Sequence, residues 1–203
     1  MDTELSRVLF TSLELFLQFG VKSVNMDQIA SSCGISKKTL YKHVKNKEDL
    51  LEKVFEQAAA FMKAELEEAI SQVNGNAIDQ LFAMERFAEV RMRDDKDRLL
   101  HQLDHYYPSI AKGMKVKRED IVFTVTKRNL EQGIREGLYR ADLHVDHITL
   151  LYYGHILAVH EGVVSNENIK LDQLRKTSLR YHIRGIASAN GLEYLNQLIA
   201  TRD

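Results

Sequence analysis

Five lysines lie close together near the N-terminus, in the segment GISKKTLYKHVKNKEDL at residues 34–50. They stand at positions 37, 38, 42, 45 and 47. Ammonium groups at this density can neutralise the phosphates of a nucleic acid, although a solvated surface gives the same pattern. The 203-residue chain has a net charge of −1, so any affinity for nucleic acid has to come from this local group.

Catalysis and metal binding have little support elsewhere in the chain. There is no glycine-rich phosphate loop, no Gly-x-Ser-x-Gly, no His-Glu-x-x-His and no cysteine pair, and an enzyme would have to use polar residues of no known motif. His101 and His105 share one helical face beside Asp104, but a third metal ligand is lacking. We therefore expect a protein that is not an enzyme and that holds neither a metal nor a cofactor.

The cellular compartment is also constrained. The single cysteine, Cys33, excludes an intrachain disulfide and fits the reducing cytoplasm. The N-terminal segment MDTELSRVLF is acidic and lacks the apolar run of a signal peptide. The most apolar segment, 148–159, is interrupted by Gly154 and His155 and is too short to span a bilayer. We expect a cytoplasmic protein without a membrane partner.

The elements that position the lysines are helices. Apolar residues recur at intervals of three and four, there is one proline, and no strand-like alternation is present, so the fold class is all-α. The first helix should run from about Thr3 to Phe19, with Gly20 in the left-handed conformation at its end. Its apolar stripe is Leu5, Val8, Leu9, Leu13, Phe16 and Phe19.

Two short helices joined by a glycine turn follow. Asn25 and Gln28 have the spacing of a capping box, and Gly34 ends the helix that they begin. Ser36 is placed to cap the next helix, and Asn46 the one after. The inward residues are Met26, Ile29, Ala30 and Cys33, then Leu40 and Val44. This is the pattern of a helix-turn-helix, whose second helix lies in the major groove of DNA.

The same residues resemble the TetR family of transcriptional regulators over about residues 8–53. The resemblance is carried by Gly20, by Met26-Asp27-Gln28-Ile29-Ala30, by Gly34-Ile35-Ser36-Lys37-Lys38-Thr39-Leu40-Tyr41-Lys42-His43-Val44, and by Asn46-Lys47-Glu48-Asp49-Leu50-Leu51. The chain departs from the family pattern at Val44, Cys33 and Asn25. The resemblance implies phosphate contacts for Tyr41 and His43, and a phosphate contact at Asn25.

The lysines can then be assigned to parts of the DNA. Lys37, Lys38 and Thr39, at the start of the second helix, are the candidates for base edges. Lys47 stands at the start of the fourth helix, where the helix dipole already attracts phosphate. The predicted DNA-binding residues are Asn25, Lys37, Lys38, Thr39, Tyr41, Lys42, His43 and Lys47. Six to eight neutralised phosphates per dimer would give a log–log salt slope of roughly −5 to −7.

The rest of the chain reads as a helical bundle for effector binding and dimerisation. The fourth helix should run from Lys47 to about Val73 and belong to both parts, so we divide the chain into a DNA-binding domain, 1–50, and an effector-binding and dimerisation domain, 51–203. Gly137 should end a helix, with Leu138 and Tyr139 folding back on it. Further helices are predicted at 77–93, 97–107, 117–136, 144–165, 171–190 and 192–200.

Two late helices are candidates for a dimer interface. Residues 148–159 are apolar on nearly every face, and residues 171–190 combine an apolar stripe with small residues that permit close helix approach. Two such helices per subunit predict a four-helix interface, although they could instead form the core of a monomer. The predicted interface residues are Tyr153, Ile156, Leu157, Leu179, Ile183 and Ile186.

The resemblance implies a small molecule bound between the middle helices. The candidate pocket residues are Phe61, Met84, Phe87, Arg91, His101, His105, Tyr106, Phe123 and Tyr152. Each of them could equally be an ordinary core residue.

These predictions combine into one function. We expect a homodimeric transcriptional regulator, a repressor, that binds palindromic double-stranded DNA through the helix at about 36–43. A small apolar or amphipathic effector of unknown identity would release it. The alternative is a helical ligand-binding or protein-interaction module that has lost specific DNA binding, and the basic second helix argues against it.

Overall fold

The computed structural model describes residues 3–92, 96–160 and 170–202, with side chains described throughout except at 91, 92, 96–98, 160, 171 and 202. Over these residues there are ten helices and no strand, so the predicted all-α class is confirmed. The helices are α1 (Thr3–Phe19), α2 (Met26–Ser32), α3 (Lys37–His43), α4 (Lys47–Ser71), α5 (Ala77–Met92), α6 (Lys96–Tyr106), α7 (Pro108–Arg135), α8 (Val145–His160), α9 (Leu171–Ile186) and α10 (Ala189–Arg202). No described helix has the length and apolarity needed to cross a membrane.

The largest error in the predicted helix bounds concerns α7. It begins at Pro108 and not at residue 117, because a proline at the first position of a helix needs no N–H partner and has a suitable φ. Gly113 lies inside this helix. The predicted segment 161–165 of the eighth helix lies outside the described residues.

The ninth helix also ends earlier than the predicted residue 190. Its C-terminal neighbour, Ala187, is extended and forms an antiparallel bridge with Tyr139. Arg140 N donates to Ile186 O at 2.9 Å, and Ser188 N donates to Leu138 O at 2.9 Å. These bonds to the segment after α7 take the backbone out of the helix.

The chain packs as two compact units. Unit 1 consists of residues 1–64 and 92–118, and unit 2 of residues 65–91 and 119–203. The core of unit 1 contains α1 to α3 and the start of α4, together with residues of α6 and α7 such as Leu103 and Ala111. Phe19 is 52% exposed and does not belong to this core, contrary to its place in the predicted stripe. The functional division at residue 50 stays a prediction.

A buried tyrosine organises part of unit 2. The hydroxyl of Tyr139 donates to Asn129 Oδ1 at 3.1 Å, and Asn129 Nδ2 donates to Ala77 O at 2.8 Å. The ring lies against Gly133, where an added Cβ would overlap it. Gly137 has a φ of 70° and ends α7, so that Tyr139 N bonds back to Gly133 O at 3.0 Å, as predicted from the sequence.

Candidate nucleic-acid interface

The N-terminus of α2 is held by a complete capping box. Asn25 Oδ1 accepts from Asp27 N at 3.0 Å and from Gln28 N at 2.9 Å. Gln28 Oε1 in turn accepts from Asn25 N at 2.9 Å. The spacing of Asn25 and Gln28 in the sequence therefore predicted the local structure correctly, and the Asn25 side-chain oxygen is used to cap the helix.

The turn between α2 and α3 depends on one glycine. Gly34 has a φ of 63°, a conformation that favours glycine, and Ile35 N then reaches Ala30 O at 3.0 Å. Ser36 Oγ accepts from Thr39 N at 3.0 Å and shares a 2.9 Å hydrogen bond with the Thr39 hydroxyl. The expected cap at Ser36 is present, and the half-buried Thr39 side chain is part of it.

The two faces of α3 differ completely in exposure. Leu40 is fully buried, and Val44 just after the helix is almost so. The side chains on the opposite face are exposed: Lys37, Lys38, Tyr41 and Lys42. Three cations and a phenol hydroxyl on one exposed face are suited to the phosphates and base edges of a nucleic acid.

One of these lysines is paired with a carboxylate. Lys37 Nζ lies 2.8 Å from Asp27 Oδ1, and both side chains are mainly exposed. The hydrogen bond to Asp27 raises the pKa of Lys37, so the ammonium stays charged. A nucleic acid that binds Lys37 has to compete with Asp27.

Two further predicted contacts are also engaged within unit 1. His43 Nε2 lies 2.8 Å from Glu4 Oε1, and the histidine side chain is mostly buried. Lys47 Nζ donates to the backbone oxygen of Val21. The structure thus brings Lys37, Lys38, Tyr41 and Lys42 together on one exposed face, while His43 and Lys47 bond to other parts of the protein.

The predicted pocket residues are divided between the two units. Met84 and Tyr152 are buried in unit 2, with Phe87 and Phe123 half-buried there. The exposed candidates Phe61, His101, His105 and Tyr106 belong to unit 1. The side chain of Arg91 lies outside the described residues.

Unit 2 contains a polar cluster that sequence reasoning missed. Tyr152 and His155 of α8 lie next to His182 of α9, with ring centroids 5.5 Å apart for the first pair and 4.6 Å for Tyr152 and His182. Ser178 Oγ lies 2.5 Å from His155 Nδ1. Burial, and to a lesser extent His155, lowers the pKa of His182 to about 4. In the sequence, this cluster is indicated only by two spacings, 152/155 on α8 and 178/182 on α9.

Most members of this cluster are neutral at physiological pH. The low pKa keeps His182 uncharged, and burial raises the pKa of Tyr152 far above its usual value. Glu85 is buried too, and its carboxylate contributes to the shift at Tyr152. Among the described residues, no three histidine, cysteine or acidic side chains are placed to share a metal ion.

The predicted interface residues of α8 and α9 are largely internal to the chain. Leu179, Ile183 and Ile186 are buried, as is Tyr153, while Ile156 and Leu157 are half-buried. Among the described residues of these helices, the large apolar side chains that are exposed are Leu150, Leu151 at 68% and Tyr181 at 80%. Gly154 and Gly185 lie on the same exposed faces, and apart from the adjacent helical backbone no described atom is within 4 Å of the place where a Cβ would stand.

Comparison with known proteins gives a consistent assignment for this helix-turn-helix. Residues 8–54 match the family model described as bacterial regulatory proteins, tetR family. The uncharacterized HTH-type transcriptional regulator YhgD of Bacillus subtilis is 26% identical over 133 residues, which cover 64% of this chain and 69% of YhgD.

Solved structures share the fold over almost the whole chain. A TetR-family transcriptional regulator from Mesorhizobium loti superposes with a TM-score of 0.72 at 18% identity, covering 91% of this chain and 97% of that one. A transcriptional regulator from Saccharomonospora viridis in complex with choline has a TM-score of 0.69 at 16% identity, covering 93% and 100%. At these identities the superpositions establish the fold alone.

Proposed function

We propose that this chain is a transcriptional regulator of the TetR family, that it binds a palindromic operator as a homodimer, and that a small-molecule effector releases it. Regulators of this family are DNA-binding proteins and not enzymes. The protein would act in the cytoplasm as a repressor, and the effector would release it from the operator.

The observation that carries the proposal is the exposed basic face of α3 over its buried Leu40. Lys37 and Lys38, at the N-terminal end of α3, are the proposed base contacts, and Tyr41 and Lys42 the proposed phosphate contacts. Asn25 and Thr39 were also predicted to bind DNA. They support this surface indirectly, because they belong to the caps of α2 and α3. On non-specific DNA, where all three exposed lysines of each subunit can lie against phosphates, a dimer would have a salt slope of about −5.

A homodimer is supported by the exposed faces of α8 and α9. Leu150, Leu151 and Tyr181 would leave water on association, and Gly154 and Gly185 would let the partner helices approach closely. The buried Leu179, Ile183 and Ile186 would hold the two helices together behind this surface. Two-fold symmetry would present two copies of α3 to half-sites about 34 Å apart, or to a multiple of that spacing.

The proposed effector site lies in unit 2, among α5, α7, α8 and α9. The cluster of Tyr152, His155 and His182 supports it, because aromatic rings with polar atoms suit a small amphipathic ligand. The structurally similar Saccharomonospora viridis regulator holds choline, so a protein of this fold can bind a small molecule. A tenfold to hundredfold loss of operator affinity would need about 1.4–2.8 kcal/mol of coupling.

Selection from random-sequence DNA tests the proposal. The wild-type protein should enrich a palindrome, and replacing Lys37, Lys38 and Tyr41 with alanine should abolish its retention without altering the oligomeric state. Lys115, Lys117 and Tyr106, exposed residues of the same types in unit 1, provide a matched triple-alanine control that should retain the palindrome. Enrichment of no palindrome by the wild type would favour a module that has lost specific DNA binding.

A further inference from the structure

Two lysines of α4 bond to backbone carbonyls on opposite sides of the helix-turn-helix. Lys47 Nζ donates to the oxygen of Val21, in the loop before α2. Lys53 Nζ donates to the oxygen of His43, the last residue of α3, at 2.8 Å. We call Lys47 and Lys53 the α4 lysine pair. All four residues belong to unit 1.

Lys47 is less accessible than the exposed lysines of α3. Its side chain is half-buried, and burial lowers the pKa of its ammonium group. The carbonyl that it binds belongs to Val21, which is fully buried. The Val21 carbonyl occupies one of the three N–H donors of Lys47, and movement of the half-buried ammonium group towards a phosphate would weaken that bond.

Lys53 holds the other end of the motif through a small network. Its ammonium group also lies 2.9 Å from Asp49 Oδ2, and that oxygen accepts from Lys45 N at 2.7 Å. The bond from Lys45 N, followed by Lys53, lowers the pKa of Asp49 and keeps it ionised. Two side chains of α4, Lys53 and Asp49, therefore hold the turn between α3 and α4.

The ammonium group of Lys53 also supplies a hydrogen-bond donor to the C-terminal end of α3. The last carbonyls of a helix have no partner within the helix and carry the negative end of its dipole. Lys53 supplies a charged donor to one of them, at His43. The C-terminal end of α3 is thereby fixed on α4.

The spacing of the pair lets one helix hold both ends. Six residues correspond to about 9 Å along α4 and to directions about 120° apart around its axis. One side chain therefore reaches the loop before α2 and the other the end of α3, so the helix-turn-helix is attached to α4 at two separate points.

We infer that Lys47 and Lys53 are positioning residues that fix the orientation of α3 on α4, and that neither binds phosphate. The inference rests on the proposed DNA-binding function and deepens it, since it assigns sequence discrimination to two residues that do not touch DNA. It replaces the phosphate contact predicted for Lys47. Because the pair orients the base-reading side chains, its loss should affect specific binding more than non-specific binding.

The test compares Lys47→Met and Lys53→Met with Lys42→Met, an exposed lysine of the proposed DNA face. Affinity is measured across a salt series for the duplex that the wild type enriches and for a scrambled duplex of equal length. Each α4 variant should reduce the ratio of the two affinities by about tenfold or more, with the salt slope on the scrambled duplex unchanged. Lys42→Met should instead lower that slope by about 2 per dimer and leave the ratio unchanged.

The opposite pattern would overturn the inference. If Lys47→Met lowered the slope by about 2 and kept the ratio, Lys47 would be a phosphate contact. Should the methionine variants fail to fold, Lys47→Gln and Lys53→Gln, which also lack the charge and the reach, replace them with the same expected outcomes.

Hydrogen exchange separates this inference from the proposed function. Lys53→Met should speed exchange of the amides of residues 43–46 at least about tenfold relative to those of α1, and Lys53→Arg, which keeps a charged donor, should restore slow exchange. Unchanged exchange in Lys53→Met would refute the positioning role. If the wild type enriched no palindrome while exchange behaved as expected, the proposed function would fail and the attachment of α3 to α4 would stand.

Discussion

Replacing Leu151 with glutamate should dissociate the proposed dimer. Leu151 is 68% exposed on α8, beside the open Gly154. Complete burial of a leucine side chain is worth about 1.5–3 kcal/mol, so burying the exposed two-thirds would supply about 1–2 kcal/mol. A two-fold interface contains the side chain twice, which gives about 2–4 kcal/mol per dimer.

This energy converts into a measurable change of affinity. At 1.4 kcal/mol per factor of ten, the dissociation constant of the dimer should rise roughly 30- to 700-fold on loss of the leucine alone. The glutamate adds to this, because its charge would have to be buried in an apolar interface.

Sedimentation velocity over a range of protein concentrations measures this constant directly. Val116→Glu is the matched control, because Val116 is 58% exposed on the part of α7 that belongs to unit 1. The control should dimerise as the wild type does, and Leu151→Glu should also lose affinity for the full palindrome. A dissociation constant for Leu151→Glu equal to that of the control would refute the placement of the interface on α8.

Three other substitutions test the electrostatics and the packing. Asp27→Asn removes the carboxylate that holds a lysine of α3, so affinity for a scrambled duplex should rise and the salt slope should steepen by up to about 2 per dimer, as read from a salt series of binding curves. The pKa of His182 falls from 6.5 to about 4 on folding, so between these pH values only the unfolded chain binds the proton. The free energy of unfolding in urea should therefore drop by at most about 3 kcal/mol as the pH falls through this window, and His182→Gln should lose that dependence. Gly133→Ala places a methyl group into the ring of Tyr139 and should cost about 1–3 kcal/mol in the same unfolding assay, whereas Gly113→Ala, where the space is open, should not destabilise.

The position of the helices along the chain was largely predictable. The first helix has the predicted bounds, and the caps at Asn25, Ser36 and Asn46 are all present, the last through a 2.8 Å bond from Asp49 N to Asn46 Oδ1. Errors arose where a signal has two meanings. Pro108 ends a helix in one context and begins one in another, and only the structure shows that it begins α7.

The core-facing and exposed sides of the late helices could not be assigned from the pattern. Residues 148–159 are apolar nearly all round, so their sequence has no polar face that marks the side turned to water. Packing against α9 decides the orientation, burying Tyr152 and leaving Leu150 and Leu151 exposed. The cluster of Tyr152 with His155 and His182 exists only once the two helices are side by side.

The sequence by itself determined the helix-turn-helix, because its caps and its glycine turn depend on hydrogen bonds between residues at most five positions apart. The four-residue spacing of Leu40 and Val44 marked the inward side of α3. The free or engaged state of each basic side chain was decided by the tertiary structure. Lys37 meets Asp27 ten residues away, Lys47 meets Val21 twenty-six away, and His43 meets Glu4 thirty-nine away. Such partners depend on how whole helices pack, and a local pattern of lysines does not specify that packing.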